Sequence, residues 1–304
     1  MLTPEGYKPR LKEKKLDEYQ KVFGAVCIEG PKFCGKTWMA MTRSESAVYL
    51  GNPKNNFQMR TMAEISPESV LQGPYPKLLD EWQEVPPLWD AVRFAVDQGT
   101  QKGMYLLTGS ATPNHKGILH SGTGRIGKLK MNTMSLYETG DSSGQVSLKS
   151  LFDGSFQPVV TDEVTVSQLI HYVVRGGWPG NLQTPAQLSG VVATEYLKTV
   201  VDDDIYKTDG IRRDAGRIWA LLHSLGRNEC TLAGNTTIQR DINAADGMEL
   251  DTKTIAQYLD IFTRLFLLDN QPAYNPNLRS SRRVLKQEKR HFTDPSLAVA
   301  DLGA

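Results

Sequence analysis

The 304-residue sequence predicts an α/β fold, a parallel sheet flanked by helices, followed by a mainly helical region. Three observations predict it. Short apolar runs alternate with helix-forming stretches through the first half, and strands separated by helices pair in parallel under cover on both faces. A glycine-bounded turn joins the first of these strands to a helix. After about residue 160 the apolar residues fall at helical rather than strand spacing.

The first strand is AVCIE, Ala25–Glu29, and the helix-forming stretch KTWMAMTRSES follows its turn. Residues 47–51 read as a second buried strand, 76–82 as a third and 103–111 as a fourth. Between the last two, Leu88, Trp89, Val92 and Val96 lie at helical spacing behind Pro86 and Pro87, which mark a helix start. Residues 113–124, rich in Gly, Ser, Thr and His, read as a mobile loop. Further on, Ile218, Leu221, Leu222 and Leu225 form one helical stripe. Ile255, Tyr258, Leu259, Phe262 and Leu265 form another, which runs into the strand-like LFLLDNQPAY. Helices, an apolar strand and a basic segment suggest a winged helix-turn-helix, although a small helical bundle with a hairpin fits the same pattern.

Bulk properties narrow the function. A formal net charge of +1 gives no global field for nucleic acid or membranes, so any such attraction is local. No apolar run approaches the roughly 20 residues that cross a bilayer. The polar, basic N-terminus is no secretory signal. Cys27, Cys34 and Cys230 form no CxxC and cannot all pair, which suits a reducing, cytoplasmic setting. The five histidines have no metal-site spacing, so no zinc site is expected.

Chemistry concentrates in the first half. Gly30, Pro31, Lys32, Phe33, Cys34, Gly35, Lys36 and Thr37 read G-x-x-x-x-G-K-(S/T) between a strand and a helix, where a phosphate-binding loop sits, with Trp38 next. Glycines let the backbone wrap phosphates, so that N–H groups point inward at a helix N-terminus. Lys36 is the residue to reach the β- and γ-phosphates of ATP, and the Thr37 hydroxyl the one to ligate Mg²⁺. Asp80 and Glu81 end an apolar strand, at the sheet edge where open α/β sheets put ligands. Asp80 is the residue to hold Mg²⁺ through water, and Glu81 the one that orients or deprotonates the attacking water. The next strand ends in hydroxyl residues, and Thr108 or Ser110 is placed to bond the γ-phosphate or that water. Arg125 is a candidate to stabilise transition-state charge, with slow turnover expected if it works only when a second subunit or partner aligns it. Cys34, inside the loop, is a candidate for oxidation that blocks binding. DEWQ and GSATP are helicase-like, but no second RecA-like domain fits in the remaining length. No NKxD-type guanine reader follows the loop, so ATP is the expected nucleotide.

Together, YKPR (7–10), FGAVCIEGPKFCGKTW (23–38), LLDEWQEVPPLWDAVR (78–93), LTGSATP (107–113), HSGTGRI (120–126), RGGWP (175–179), TTIQRD (236–241) and FTDPSLA (292–298) resemble a family of prokaryotic AAA-superfamily ATP-binding proteins. That family has an uncharacterised C-terminal region and looks related to the STAND branch. The resemblance implies that the Gly177-Trp178-Pro179 turn contacts the adenine side of the nucleotide through Pro179. It also implies a winged helix followed by a nuclease-like domain. Because the chain stops at Ala304, that last domain is expected to be missing or truncated, and no nuclease metal site is expected. The resulting organisation is an ATPase core at 1–163, a helical lid and linker at 164–205, and a winged-helix-like region at 206–304.

The basic residues Arg279, Arg282, Arg283, Lys286, Lys289 and Arg290 are candidates for DNA phosphate contacts within 279–290. The expected function is an ATP-binding, Mg²⁺-dependent ATPase of low intrinsic turnover that acts as a nucleotide-dependent switch. The alternative is a DNA-associated regulator or defence component in which ATP gates DNA or partner binding. A third reading is a degenerate fragment that binds nucleotide without hydrolysing it. A protein partner or homo-oligomer is expected; a membrane is not.

Overall fold

A computed structural model describes residues 2–111, 118–161, 163–274 and 287–303. Five parallel strands form one sheet: β1 (Ala25–Glu29), β2 (Ser46–Tyr49), β3 (Lys77–Asp80), β4 (Tyr105–Gly109) and β5 (Ile126–Lys130). Their order is β2-β3-β4-β1-β5. Ala25 sits opposite Tyr105 on one side and Ile126 on the other. All five strands point the same way, so their carboxyl ends share one edge.

Helices α1 (Glu13–Val22), α2 (Lys36–Met41), α3 (Lys54–Ile65) and α4 (Leu88–Gln98) accompany the sheet. Cover on both faces explains why β1 is a continuous apolar run rather than an alternating one. Val26 and Ile28 join Leu16, Met39, Leu78 and Leu106 in one core. Ala25 and Cys27 join Leu79, Leu88, Val92 and Leu107 in another. The four strands expected from sequence are present, and β5 is an addition. Its sequence, IGKLK, carries a glycine and two lysines, which weakened its apolar signal.

Short helices α5 (Leu136–Thr139) and α6 (Leu148–Phe152) lead to α7 (Val166–Arg175) and α8 (Ser189–Thr199). A π-helical turn, Val200–Asp204, connects α8 to α9 (Ile205–Asp209). Then come α10 (Ala215–Arg227), α11 (Asn235–Ala245), α12 (Thr252–Arg264) and α13 (Pro295–Leu302). The predicted stripes on α10 and α12 are buried as expected, and α12 starts where Asp251 accepts from the Lys253 and Thr254 amides, 2.9 Å each. Such a cap is worth about 1 kcal/mol. Antiparallel bridges Leu268↔Phe292 and Gln271↔Lys289 follow α12. Trp178, Ala193 and Leu197 share one core with α10–α13, so residues from 178 onward pack as one helical body. The mobile-loop expectation for 113–117, and the basic residues Arg279, Arg282, Arg283 and Lys286, lie outside the described residues.

Candidate nucleotide site

The phosphate loop forms where the sequence places it, between β1 and α2. A side chain at Gly30 would put its Cβ 2.0 Å from the Met131 carbonyl oxygen, so only glycine lets the loop pass β5 this closely. Gly35, at φ 96°, turns the chain into α2. Phe33 also adopts a left-handed backbone, φ 66°, which costs strain in a bulky residue. Lys36 is buried, and its ammonium donates to the Pro31 carbonyl at 2.7 Å, inside the loop's own curve.

At the carboxyl edge of the sheet, two hydroxyls converge on one carboxylate oxygen. Thr37 Oγ1 and Thr108 Oγ1 each donate to Asp80 Oδ1 at 2.7 Å. Burial pushes the Asp80 carboxyl above its ordinary value, and these two donors pull it back. The Thr108 hydroxyl also accepts the Glu81 amide at 3.1 Å, so one β4 residue fixes both acidic neighbours. Glu81 itself is left-handed, φ 56° and ψ 48°, at the end of β3. Ser110 Oγ donates to Glu81 Oε2 at 2.9 Å, and the Gln83 amide donates to the same oxygen. Thr108 and Ser110, alternatives in the sequence, thus donate to different carboxylates, Asp80 and Glu81.

A cavity of about 640 Å³ opens beside these groups, within the size range of small-molecule sites. Lys36, Thr37, Trp38 and Glu81 line it together with Tyr7 and Pro179. A Cβ at Gly35 would lie 3.5 Å from Pro179 Cγ, and one at Gly180 would lie 2.5 Å from the Phe33 ring. The turn at 177–180 therefore lies directly on the phosphate loop. From beneath, Gly177 N–H donates to Asp294 Oδ2 at 2.9 Å and Trp178 Nε1 to Ser296 Oγ at 2.9 Å. Two segments far apart in sequence, RGGWP and FTDPSLA, meet here.

Sequence reasoning missed Arg10. Its buried guanidinium donates to Cys34 O at 2.6 Å and Asn132 O at 2.8 Å, and pairs with Glu138 at 3.0 Å. Arg10 closes the YKPR segment, and no spacing rule ties that segment to a loop 20-odd residues later (about seven turns of chain, were it helical). Lys32, expected among the nucleotide-binding residues of the loop, places its ammonium 2.5 Å from Asp204 Oδ1, on the π-helical turn.

Arg125 does not join the phosphate site of its own chain. It precedes β5, and in a parallel sheet strand starts lie at the edge opposite the strand ends. There its Nε donates to Asp97 at 2.7 Å. Cys34 is fully buried, and burial raises its thiol pKa, which opposes the reactivity expected of it. Arg290 is also committed, donating to Ala233 O and Asn235 Oδ1 at 3.0 Å each. These bonds use two of its five N–H donors within the chain. Among the described residues no helix is long and apolar enough to cross a membrane.

Comparison with known proteins agrees with this architecture. Residues 22–140 match the AAA domain family, and residues 166–304 match a domain of unknown function (DUF8612). No curated protein matches the chain. Among solved structures, the Walker-type ATPase paby2304 of Pyrococcus abyssi is similar at TM-score 0.54 and 12% identity, over 99% of this chain and 97% of that one. A STAND protein with a tetratricopeptide repeat sensor, PH0952 from Pyrococcus horikoshii, gives TM-score 0.36 and 13% identity. That match covers 99% of this chain and 43% of the other. Strand order and phosphate loop are thus those of a P-loop NTPase fold, with residues 22–140 similar to the AAA domain and residues 166–304 to a domain of unknown function.

Proposed function

We propose that this chain binds ATP with Mg²⁺ in the cavity beside the phosphate loop, hydrolyses it slowly, and uses nucleotide state to set the position of its C-terminal helical body. The observation that carries the reading is the convergence of Thr37 and Thr108 on Asp80 Oδ1, with Glu81 and Lys36 alongside. A hydroxyl and a carboxylate in contact at the end of a phosphate loop are the donor set a hard, oxygen-seeking cation takes. Thr37 and Asp80 would hold Mg²⁺, which when bound neutralises charge on the phosphates.

Lys36 would exchange the Pro31 carbonyl for phosphate oxygens. Glu81 would accept the proton of the attacking water, its carboxylate aimed by Ser110 and Gln83. Slow turnover follows from the arginines. Arg10, which lines the cavity, spends its guanidinium on Cys34, Asn132 and Glu138, and Arg125 lies at the other sheet edge. Neither is free to meet developing phosphate charge, a contribution worth about 10³–10⁵ in rate where present. The switch rests on Lys32–Asp204 and on the Pro179–Gly35 and Gly180–Phe33 packing, which tie loop geometry to the helical body.

The test is Mg-ATP binding followed by phosphate release and limited proteolysis in ATP and ADP. The expected result is saturable binding, turnover well under the typical ~10 s⁻¹, and different cleavage patterns in the two nucleotides. Absence of ATP binding would overturn the site; identical cleavage patterns would overturn the switch.

A further inference from the structure

Away from the nucleotide cavity, one group of side chains has the geometry of metal ligands. Glu229 and Cys230 lie in the turn after α10, and His291 lies on the segment that bridges back to residues 268 and 271. The two segments are stitched together by Cys230 N–H to Arg290 O, 3.0 Å, and Arg290 N–H to Thr231 O, 2.8 Å.

Three donor atoms of different chemistry close a triangle. Cys230 Sγ is 3.6 Å from His291 Nδ1 and 3.8 Å from Glu229 Oε1, and His291 Nδ1 is 2.8 Å from Glu229 Oε1. A tetrahedral ion with bonds of about 2.3 Å to sulfur and about 2.0–2.1 Å to nitrogen and oxygen separates sulfur from either by roughly 3.5–3.6 Å. It separates nitrogen from oxygen by roughly 3.3–3.4 Å. The two sulfur edges already lie close to those lengths. The short edge is a hydrogen bond that opens by about half an ångström once a metal replaces the shared proton.

The arrangement does not suit a cysteine nucleophile. A Cys–His–acid relay uses both ring nitrogens, one facing the thiol and one facing the acid. Here thiol and carboxylate face the same Nδ1. The second oxygen of Glu229 accepts the Phe292 amide at 3.0 Å, which orients the carboxylate as ligating carboxylates commonly are. Cys230 is exposed, leaving the outer side of the triangle open to solvent.

We propose that Glu229, Cys230 and His291 form a three-ligand site for a divalent cation of the Zn²⁺ class, with its fourth position open. Thiolate and imidazole select such an ion over Mg²⁺, so the site is chemically separate from that of the nucleotide. The bound ion ties the turn after α10 to a residue 61 positions further on and fixes the segment leading into α13.

The experiment uses the full chain, stripped with chelator and titrated with Co²⁺ as a spectroscopic probe. The expected result is a thiolate-to-cobalt charge-transfer band that saturates at one equivalent and is displaced by Zn²⁺ but not by Mg²⁺. It should vanish in Cys230→Ser and His291→Ala while far-ultraviolet circular dichroism is unchanged, and Glu229→Gln should weaken binding at least about tenfold. The proposal is overturned by absence of the band in the wild-type chain, or by its persistence in Cys230→Ser, which would assign it to Cys27 or Cys34. The wild-type reading stands by itself should a variant misfold.

Discussion

Lys32 Nζ and Asp204 Oδ1 lie 2.5 Å apart, joining an exposed arm of the phosphate loop to a carboxylate that is 5% exposed. The pair is asymmetric, and its two halves should therefore respond differently to substitution. Lys32→Met leaves a buried charge without its partner and should cost about 2–3 kcal/mol, whereas Asp204→Asn should cost about 1 kcal/mol or less. Urea unfolding of the two variants measures this; equal losses would show that the contact is a solvated surface pair.

Glu81→Gln should bind ATP nearly as well as wild type while phosphate release falls about 10²–10⁴-fold. Ser110→Ala, which removes one of the donors to Glu81 Oε2, should lower kcat about tenfold with little change in KM. Wild-type hydrolysis by Glu81→Gln would remove that residue from its assigned role.

Arg10 is held by a fork geometry that lysine cannot reproduce. Arg10→Lys should therefore behave like Arg10→Ala, losing about 2–4 kcal/mol of stability and weakening nucleotide binding through the Cys34 carbonyl. Thermal melts with and without Mg-ATP check both effects. Rescue by lysine would show that charge alone is required.

Asp301 sets a pH dependence. Burial pushes its carboxyl up to about 6, with His223 3.0 Å away and Arg227 lowering it while Asp246 raises it. The folded state then holds a proton more tightly than the unfolded one, whose value is near 3.9. That contribution is complete below about pH 4 and is lost as pH rises through 6. The melting temperature of wild type relative to Asp301→Asn should accordingly fall between pH 4 and 6 and level off above. A flat difference would mean that the carboxyl titrates normally.

A thiol reagent added to the native, metal-free chain should modify Cys230 first. Cys27 and Cys34 are buried, and burial pushes the Cys27 thiol up to about 12, so both should react only on unfolding. Mass analysis of the labelled protein distinguishes this from the oxidation-sensitive loop that Cys34's sequence position suggested.

Much of the candidate nucleotide site was legible because its chemistry is local. Gly30 to Thr37 is one uninterrupted motif, and Asp80 and Glu81 are marked by the apolar strand before them. What the sequence hid is whatever depends on long closure. Arg10 meets Cys34 and Asn132 from a separate segment, Lys32 finds Asp204 across more than half the chain, and His291 joins Glu229 and Cys230 without any repeat or spacing. The position of Arg125, remote from the phosphate loop of its own chain, was hidden for a related reason. Its neighbourhood is hydroxyl- and glycine-rich, but only the direction of β5, whose apolar signal is weak, reveals which sheet edge it occupies.

The bonds from Gly177 to Asp294 and from Trp178 to Ser296 span 117 and 118 residues. On a ribosome adding roughly 5–20 residues per second, the turn that lies against the phosphate loop waits about 6–24 s for the partners that hold it. The αβ core can collapse during that interval on contacts it already owns. The turn can meet Met134 and Tyr196 earlier, but its bonds to Asp294 and Ser296 form only once the FTDPSLA segment emerges. Synthesis order thus makes the closure of this turn onto α13 a late event, and a chain stalled before residue 294 would carry an intact phosphate motif without the two bonds that tie the turn to α13.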